Sequence, residues 1–216
     1  MGFWSAATAV CVAALLASER SGSRAGVWIA KPAASSAFIA VALAAGATGT
    51  SYGCAILAGL ALSWLGDVLL IPRDAPKVFL AGVGSFLLGH VAYAVAFLAR
   101  GVALGTTVVA AAVVVALAVA VLSWLRPHVG PDMRLAVPAY ITVISVMVVA
   151  ALGTYAFGGN PWIPLGAVGF YFSDLSVARD RFVAEEFANR VWGLPLYYAA
   201  QVALAWSVHA EKVLAM

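Results

Sequence analysis

The chain is a succession of continuous apolar runs, each close to the length that crosses a bilayer and each interrupted by a few charged residues, glycines or prolines. A spanning helix needs about 20 predominantly apolar residues. The interruptions predict helices at about residues 3–17, 27–45, 51–71, 78–99, 102–124, 134–156, 161–178 and 191–209. Strands of an outer-membrane barrel would alternate apolar with polar residues, and these runs do not. The expected fold class is therefore all-α: a polytopic membrane protein of eight transmembrane helices, forming one transmembrane domain over residues 1–216.

Composition removes the soluble alternative. Of 216 residues, 64% are apolar and only 10% charged, against about a quarter charged in an ordinary soluble domain. The 12 Lys and Arg and nine Asp and Glu are dispersed, which argues against a nucleic-acid partner. Cys11 and Cys54 each lie inside an apolar run; they support neither a disulfide framework nor a CxxC motif and read as small core residues. The first run lacks a basic segment before it, so it is read as helix 1 rather than as a cleavable signal peptide.

Orientation follows from the basic residues. Arg20, Arg24, Lys31, Arg73, Lys77, Arg126, Arg134, Arg179, Arg181 and Arg190 fall in or beside the connections after helices 1, 3, 5 and 7, whereas only Arg100 and Lys212 fall on the opposite side. The positive-inside bias then makes the odd-numbered loops cytoplasmic and leaves both termini outside. The Ala/Val/Gly-rich composition with Arg preferred over Lys suggests a bacterial plasma (inner) membrane.

Two halves of the chain look alike. Ile29-Ala30-Lys31-Pro32-Ala33-Ala34 at the start of helix 2 aligns with Leu135-Ala136-Val137-Pro138-Ala139-Tyr140 at the start of helix 6. Asp67 follows Pro32 by 35 positions and Asp174 follows Pro138 by 36, and each aspartate is followed within a few residues by an Arg-Asp pair. Four helices separate the copies, so the repeat would be a parallel four-plus-four arrangement of the kind known in transporters. Lys31 marks the difference between halves, because Val137 takes its place.

A charge inside a spanning helix costs about 2.5 to 3.5 kcal/mol on insertion scales and is a functional-site hypothesis by default. Three charges qualify: Asp67, Asp174 and Lys31. Each lies about 8 to 9 Å from the cytoplasmic end of its helix at 1.5 Å per residue. Sharing one depth, they could converge on a cavity open to the cytoplasm, with Lys31 keeping one carboxylate ionised while burial favours the protonated form of the other. The bland alternative is a buried Lys–Asp pair that holds helices together, or carboxylates hydrated at the interface.

Other polar residues say less. His90 and Gln201 read first as interhelical hydrogen-bonding groups. Tyr93, Tyr140, Tyr197 and Tyr198 could line the cavity or sit at the interfaces. Ala81, Ser85 and Gly89, four residues apart, would let a neighbouring helix approach helix 4 closely. The segment Arg179-Asp180-Arg181-Phe182 with Glu185 and Glu186 reads as a solvated loop, in which Arg181 or Arg190 could meet a lipid phosphate. No GxSxG elbow, HExxH, P-loop or His/Cys cluster at metal-ligand spacing is present, so no metal or cofactor is implied.

Leu65-Gly66-Asp67-Val68-Leu69-Leu70, then Phe86-Leu87-Leu88-Gly89-His90-Val91-Ala92-Tyr93, resemble the bacterial YhhN and animal lysoplasmalogenase-type membrane proteins. So do Ser173-Asp174 with Arg181-Phe182, and Leu194-Pro195-Leu196-Tyr197-Tyr198-Ala199-Ala200-Gln201. The resemblance runs in order from Lys31-Pro32 to Gln201. It implies an eight-helix fold and hydrolysis of the vinyl-ether bond of a lysoplasmalogen to a fatty aldehyde and a glycerophospho-amine. Its functional aspartates fall on Asp67 and Asp174. Lys31, His90, Tyr93, Tyr140, Tyr197, Gln201 and Arg181 are the candidates for binding the lysophospholipid substrate, and oligomeric state is left open.

Two other readings compete. A transporter or flippase of a lipid-like or cationic solute would use the same carboxylates, and an assembly protein without a ligand would need them only for packing.

Overall fold

The structure is a computed structural model and describes residues 1–72 and 74–214, with the backbone alone for 212–214. Arg73 and the Lys212 side chain, both counted in the charge asymmetry, lie outside the described residues. Among the described residues the chain forms eight α-helices and no strand: α1 (Gly2–Ser21), α2 (Arg24–Ala44), α3 (Ser51–Leu69), α4 (Pro76–Arg100), α5 (Leu104–Leu125), α6 (Ala136–Ala156), α7 (Trp162–Ala178) and α8 (Phe187–Leu214). The apolar runs thus fix element number and order. The largest departure is α8, which begins four residues before the sequence expectation and ends five after it.

Local chemistry sets the ends. Gly22, at φ 69°, stops α1 in a left-handed conformation that a side chain would resist. Ser23 then caps α2 by accepting from the Gly26 amide at 3.2 Å, and Thr50 caps α3 by accepting from the Gly53 amide at 2.9 Å. The α7–α8 connection, expected as a loop, is a π-helical turn over Arg179–Val183.

Six helices, α2, α3, α4, α6, α7 and α8, pack in that order into a closed ring, with α8 returning to α2. Helix α1 leans on α2 and α8 from outside, and α5 leans on α6. The tightest contacts use small residues. A Cβ on Gly66 would fall 2.6 Å from the Phe86 ring, and one on Gly59 would enter the Tyr93 ring, so α3 and α4 meet where side chains are missing. Gly89 faces the Gly59 carbonyl oxygen, and Ser85 Oγ donates to the Leu62 carbonyl at 2.7 Å, as the small-residue spacing of α4 anticipates. On the other side Gly166 fits Leu204 and Gly193 fits Ser176, joining α7 to α8.

Helices α1 to α6 are long and apolar enough to cross a bilayer by length and composition. Helix α7 has 17 residues. The cysteines depart from expectation: Cys54 is exposed and Cys11 half-buried. A lipid-facing surface is as apolar as a core, so an apolar run does not tell the two apart.

Candidate active site

The ring encloses a cavity of about 770 Å³, inside the range of small-molecule sites. Its mouth is lined by Glu19, Pro72, Asp74, Met133, residues Asp180 to Glu185, Asn189 and Arg190, so it opens at the end that carries the odd-numbered connections. Lys31, Asp67, Tyr140, Asp174, Arg181 and Tyr197 all line it. Two carboxylates from α3 and α7, expected from depth alone to converge, do face one chamber.

Their surroundings differ. Asp67 is 2% exposed. Its Oδ2 accepts from Ser35 Oγ at 2.6 Å and from Tyr197 Oη at 2.7 Å, and Lys31 Nζ stands 3.4 Å from its Oδ1. Ser35 also lies 3.3 Å from Tyr198 Oη, which donates to the Lys31 carbonyl at 3.3 Å. Helix α2 supplies both Lys31 and Ser35 because four residues separate them, one turn of one face.

Among the described residues Asp174 has a sparser shell. Tyr140 Oη donates to its Oδ2 at 2.7 Å, and His90 Nε2 stands 3.7 Å from the same oxygen, beyond direct hydrogen-bond distance. Whereas Lys31 stands beside Asp67, the ion pairs among the described residues bring no Lys or Arg to Asp174.

His90, Tyr93 and Gln201 are fully buried behind the cavity wall. His90 packs edge-on against Tyr140 with ring centroids 5.2 Å apart and tilted against Phe170 at 4.5 Å. Tyr93 Oη donates to Gln201 Oε1 at 2.8 Å, tying α4 to α8. Phe170 also packs on Phe86 and Tyr197, so aromatic rings fill the space between the two aspartate shells.

At the mouth, Arg190 binds Asp180 Oδ2 and Glu185 Oε1 at 3.0 Å each and approaches Glu19 Oε2 at 3.7 Å. Asp180 also accepts from Asn189 Nδ2 and the Glu186 amide, and Arg179 pairs with Glu186 at 2.8 Å. The segment read as a solvated loop is thus an ion-pair network that shapes the entrance. Arg181 stacks its guanidinium over the Phe79 ring at 4.3 Å.

Sequence reasoning missed Ser35, whose signal was its position one turn after Lys31. It also missed the aromatic wall of Phe86 and Phe170, which carries no signal in a chain this apolar.

Residues 26–208 match the YhhN family. The chain is 34% identical over 185 residues to a protein named lysoplasmalogenase from Mycobacterium tuberculosis (strain CDC 1551 / Oshkosh), covering 82% of this chain and 66% of that protein. It is 33% identical over 165 residues to lysoplasmalogenase TMEM86B of Rattus norvegicus, covering 74% and 64%. It is 30% identical over 158 residues to lysoplasmalogenase TMEM86A of Bos taurus, covering 70% and 64%. The chain thus spans slightly less than two thirds of the length of these relatives. No solved structure matches it. With the family's match extending from helix α2 to the last turns of α8, the chain belongs to the YhhN family.

Proposed function

We propose that this protein is a membrane lysoplasmalogenase that hydrolyses the vinyl-ether bond of a 1-alkenyl-glycerophospho-amine to a fatty aldehyde and a glycerophospho-amine. The observation that carries the reading is one cavity holding two carboxyl groups in unlike settings, one beside a lysine and two hydroxyl donors and the other beside a phenol. The names of the relatives support it.

The chemistry needs an acid and a base in turn. Asp174, to which no Lys or Arg among the described residues forms an ion pair, is the neutral acid and delivers its proton to the alkene carbon remote from oxygen. Asp67, held ionised by Lys31, Ser35 and Tyr197, stabilises the oxocarbenium ion and takes a proton from the water that attacks it. The product is a hemiacetal. Asp67 then returns its proton to the ether oxygen as the carbon–oxygen bond breaks, and Asp174 takes the hemiacetal hydroxyl proton. Aldehyde and alcohol leave, and both carboxyls recover their starting state. No covalent intermediate is needed, and the division of labour parallels paired carboxylates in glycoside hydrolysis.

Tyr140 and Tyr197 hold the two carboxyls, with His90, Tyr93 and Gln201 supporting them from behind. The substrate phosphate lies toward Arg181 and Lys31 at the open end. The chain works as one unit over residues 1–216 in a plasma membrane, with eight crossings, odd-numbered connections in the cytoplasm and both termini outside.

Support for a parallel four-plus-four repeat comes from one spacing. Asp67 and Asp174 are 107 positions apart, as are His90 and Tyr197, and Gly59 and Gly166. In the structure Tyr197 of the second half meets Asp67 of the first, and His90 of the first half approaches Asp174 of the second. The neighbours correspond too: α3 with α4 and α7 with α8, α4 with α6 and α8 with α2.

The deciding experiment supplies purified protein in detergent with vinyl-ether, ester and alkyl-ether lysolipids. Release of free aldehyde from the vinyl ether alone is the expected result. Intact substrate, together with gradient-dependent movement of that substrate in proteoliposomes, would replace the enzyme by a transporter.

A further inference from the structure

The cavity is not uniform along its walls. On the α2, α3 and α8 side it presents Lys31, Asp67 and Tyr197, whereas α5 and α6 present Val121, Leu125, Val137, Ile141 and Ile144. On α6 the lining residues Val137, Tyr140, Ile141 and Ile144 fall at i, i+3, i+4 and i+7, a single helical face. Tyr140 in the midst of that face binds Asp174. The apolar wall therefore runs from the mouth past a reacting carboxyl to Ile144, one turn deeper than Tyr140.

Most of this wall is a core of its own, and its inner residue Ile144 joins the main cluster. Val121, Leu125, Val137 and Ile141 form a hydrophobic cluster separate from the main one, with Met133 and Phe182 packed on it. Helix α5 leans on the ring through α6. Helices α5 and α6 are joined at the mouth end, so Leu125 stands nearest the entrance on α5 and Val121 one turn, about 5.4 Å, further in. Ile144 is correspondingly one turn deeper than Tyr140 on α6. Val121 and Ile144 mark the inner end of the apolar wall.

We infer that the α5–α6 wall is the subsite for the substrate's hydrocarbon chain, and that Val121 and Ile144 set the chain length the enzyme accepts. This rests on the reading of the substrate as a single-chain lipid. A chain leaving bilayer for this wall exchanges one apolar surface for another, so burial alone separates chain lengths weakly. Steric fit at the inner end must therefore do it, as in a packed interior where added bulk forces side chains out of place.

The test uses non-hydrolysable alkyl-ether lysolipids with octyl and octadecyl chains, read as thermal stabilisation of the full-length protein in detergent, beside kcat/KM for the matching vinyl ethers. Val121→Trp and Ile144→Trp should each weaken the octadecyl ligand at least about tenfold relative to the octyl one, the factor that corresponds to about 1.4 kcal/mol. Val121→Ala, which removes bulk and does not depend on a tryptophan being accommodated, should move the ratio the other way. Val113→Trp, on an exposed face of α5, should leave it unchanged. Equal effects on both chains, or an unchanged ratio in folded Val121→Ala, would overturn the inference. If the octadecyl preference shifts as stated but no vinyl ether is cleaved, the subsite stands and the hydrolase reading falls.

Discussion

Lys31 Nζ stands 3.4 Å from Asp67 Oδ1, across the contact of α2 with α3, with the side chains 13% and 3% exposed. A charge pair withdrawn from water in this way makes each partner depend on the other. Removing one strands the other at a cost of about 3 to 5 kcal/mol. Lys31→Met should therefore lower the melting temperature in detergent. Lys31→Met with Asp67→Asn should regain most of the loss, because a neutral amide has no charge to strand. Additive losses in the double variant would show that the two groups are not coupled.

With Asp67 as the proposed base and Asp174 as the proposed acid, the two carboxyls should give opposite pH dependences. A base works once deprotonated, so activity should rise with pH as Asp67 ionises. An acid works while protonated, so activity should fall as Asp174 ionises. Each Asn substitution should lower kcat by about 10² to 10⁴, the usual worth of general acid or base catalysis. The residual activity of Asp67→Asn should lack the acidic limb, and that of Asp174→Asn the alkaline limb. Loss of the same limb in both variants would refute the assignment.

Two phenols test the same division without touching a carboxyl. Tyr197→Phe removes a donor from Asp67, on the proposed assignment the ionised base, where such a bond is worth about 1.5 to 3 kcal/mol, and should lower kcat/KM by about 10- to 100-fold. Tyr140→Phe removes a donor from Asp174, on the same assignment the neutral acid, where the bond is worth about 0.5 to 1.5 kcal/mol, and should cost about tenfold or less. The reverse order, measured on folded protein, would exchange the roles of the two aspartates.

Much of this could be read from the chain. Lys31, Asp67 and Asp174 were the charges that a bilayer would not hold without reason, and their common depth placed them at one cavity. The neighbours of each helix were not legible. In α5, with residues such as Val108, Val113 and Val119 exposed and Val114 and Val121 buried, every face is apolar, so no contrast between a polar and an apolar stripe marks the inward side. Packing is decided instead by fits such as Gly66 against Phe86, which sequence spacing suggests only for the small residue of the pair. Tyr197 reaches Asp67 from 130 positions away, and nothing local to either residue announces it. The ion-paired mouth was hidden for another reason: a charged stretch between helices reads the same whether its charges are solvated or paired.

The opposite end of the bundle separates stability from chemistry. Glu211 of α8, 7% exposed, pairs with Arg100 at the end of α4. It also accepts from the amide and the side-chain nitrogen of Asn160 at 3.0 and 2.7 Å. One carboxylate thus ties α4, the α6–α7 turn and α8 together, far from the cavity mouth. Glu211→Ala takes an acceptor from Arg100, which is partly exposed and keeps the Gly158 carbonyl, and from the Asn160 amide and side chain, and should destabilise by about 1 to 3 kcal/mol. Activity per folded molecule should stay within about twofold of the parent, since a substitution distant from the site couples weakly to it. Asp174→Asn should give the inverse pattern, a large loss of rate with little change in melting temperature. Measuring melting and turnover on the same preparations decides the matter: a Glu211→Ala protein that melts normally, or that is folded but inactive, would show that this clamp is not the separate structural element described here.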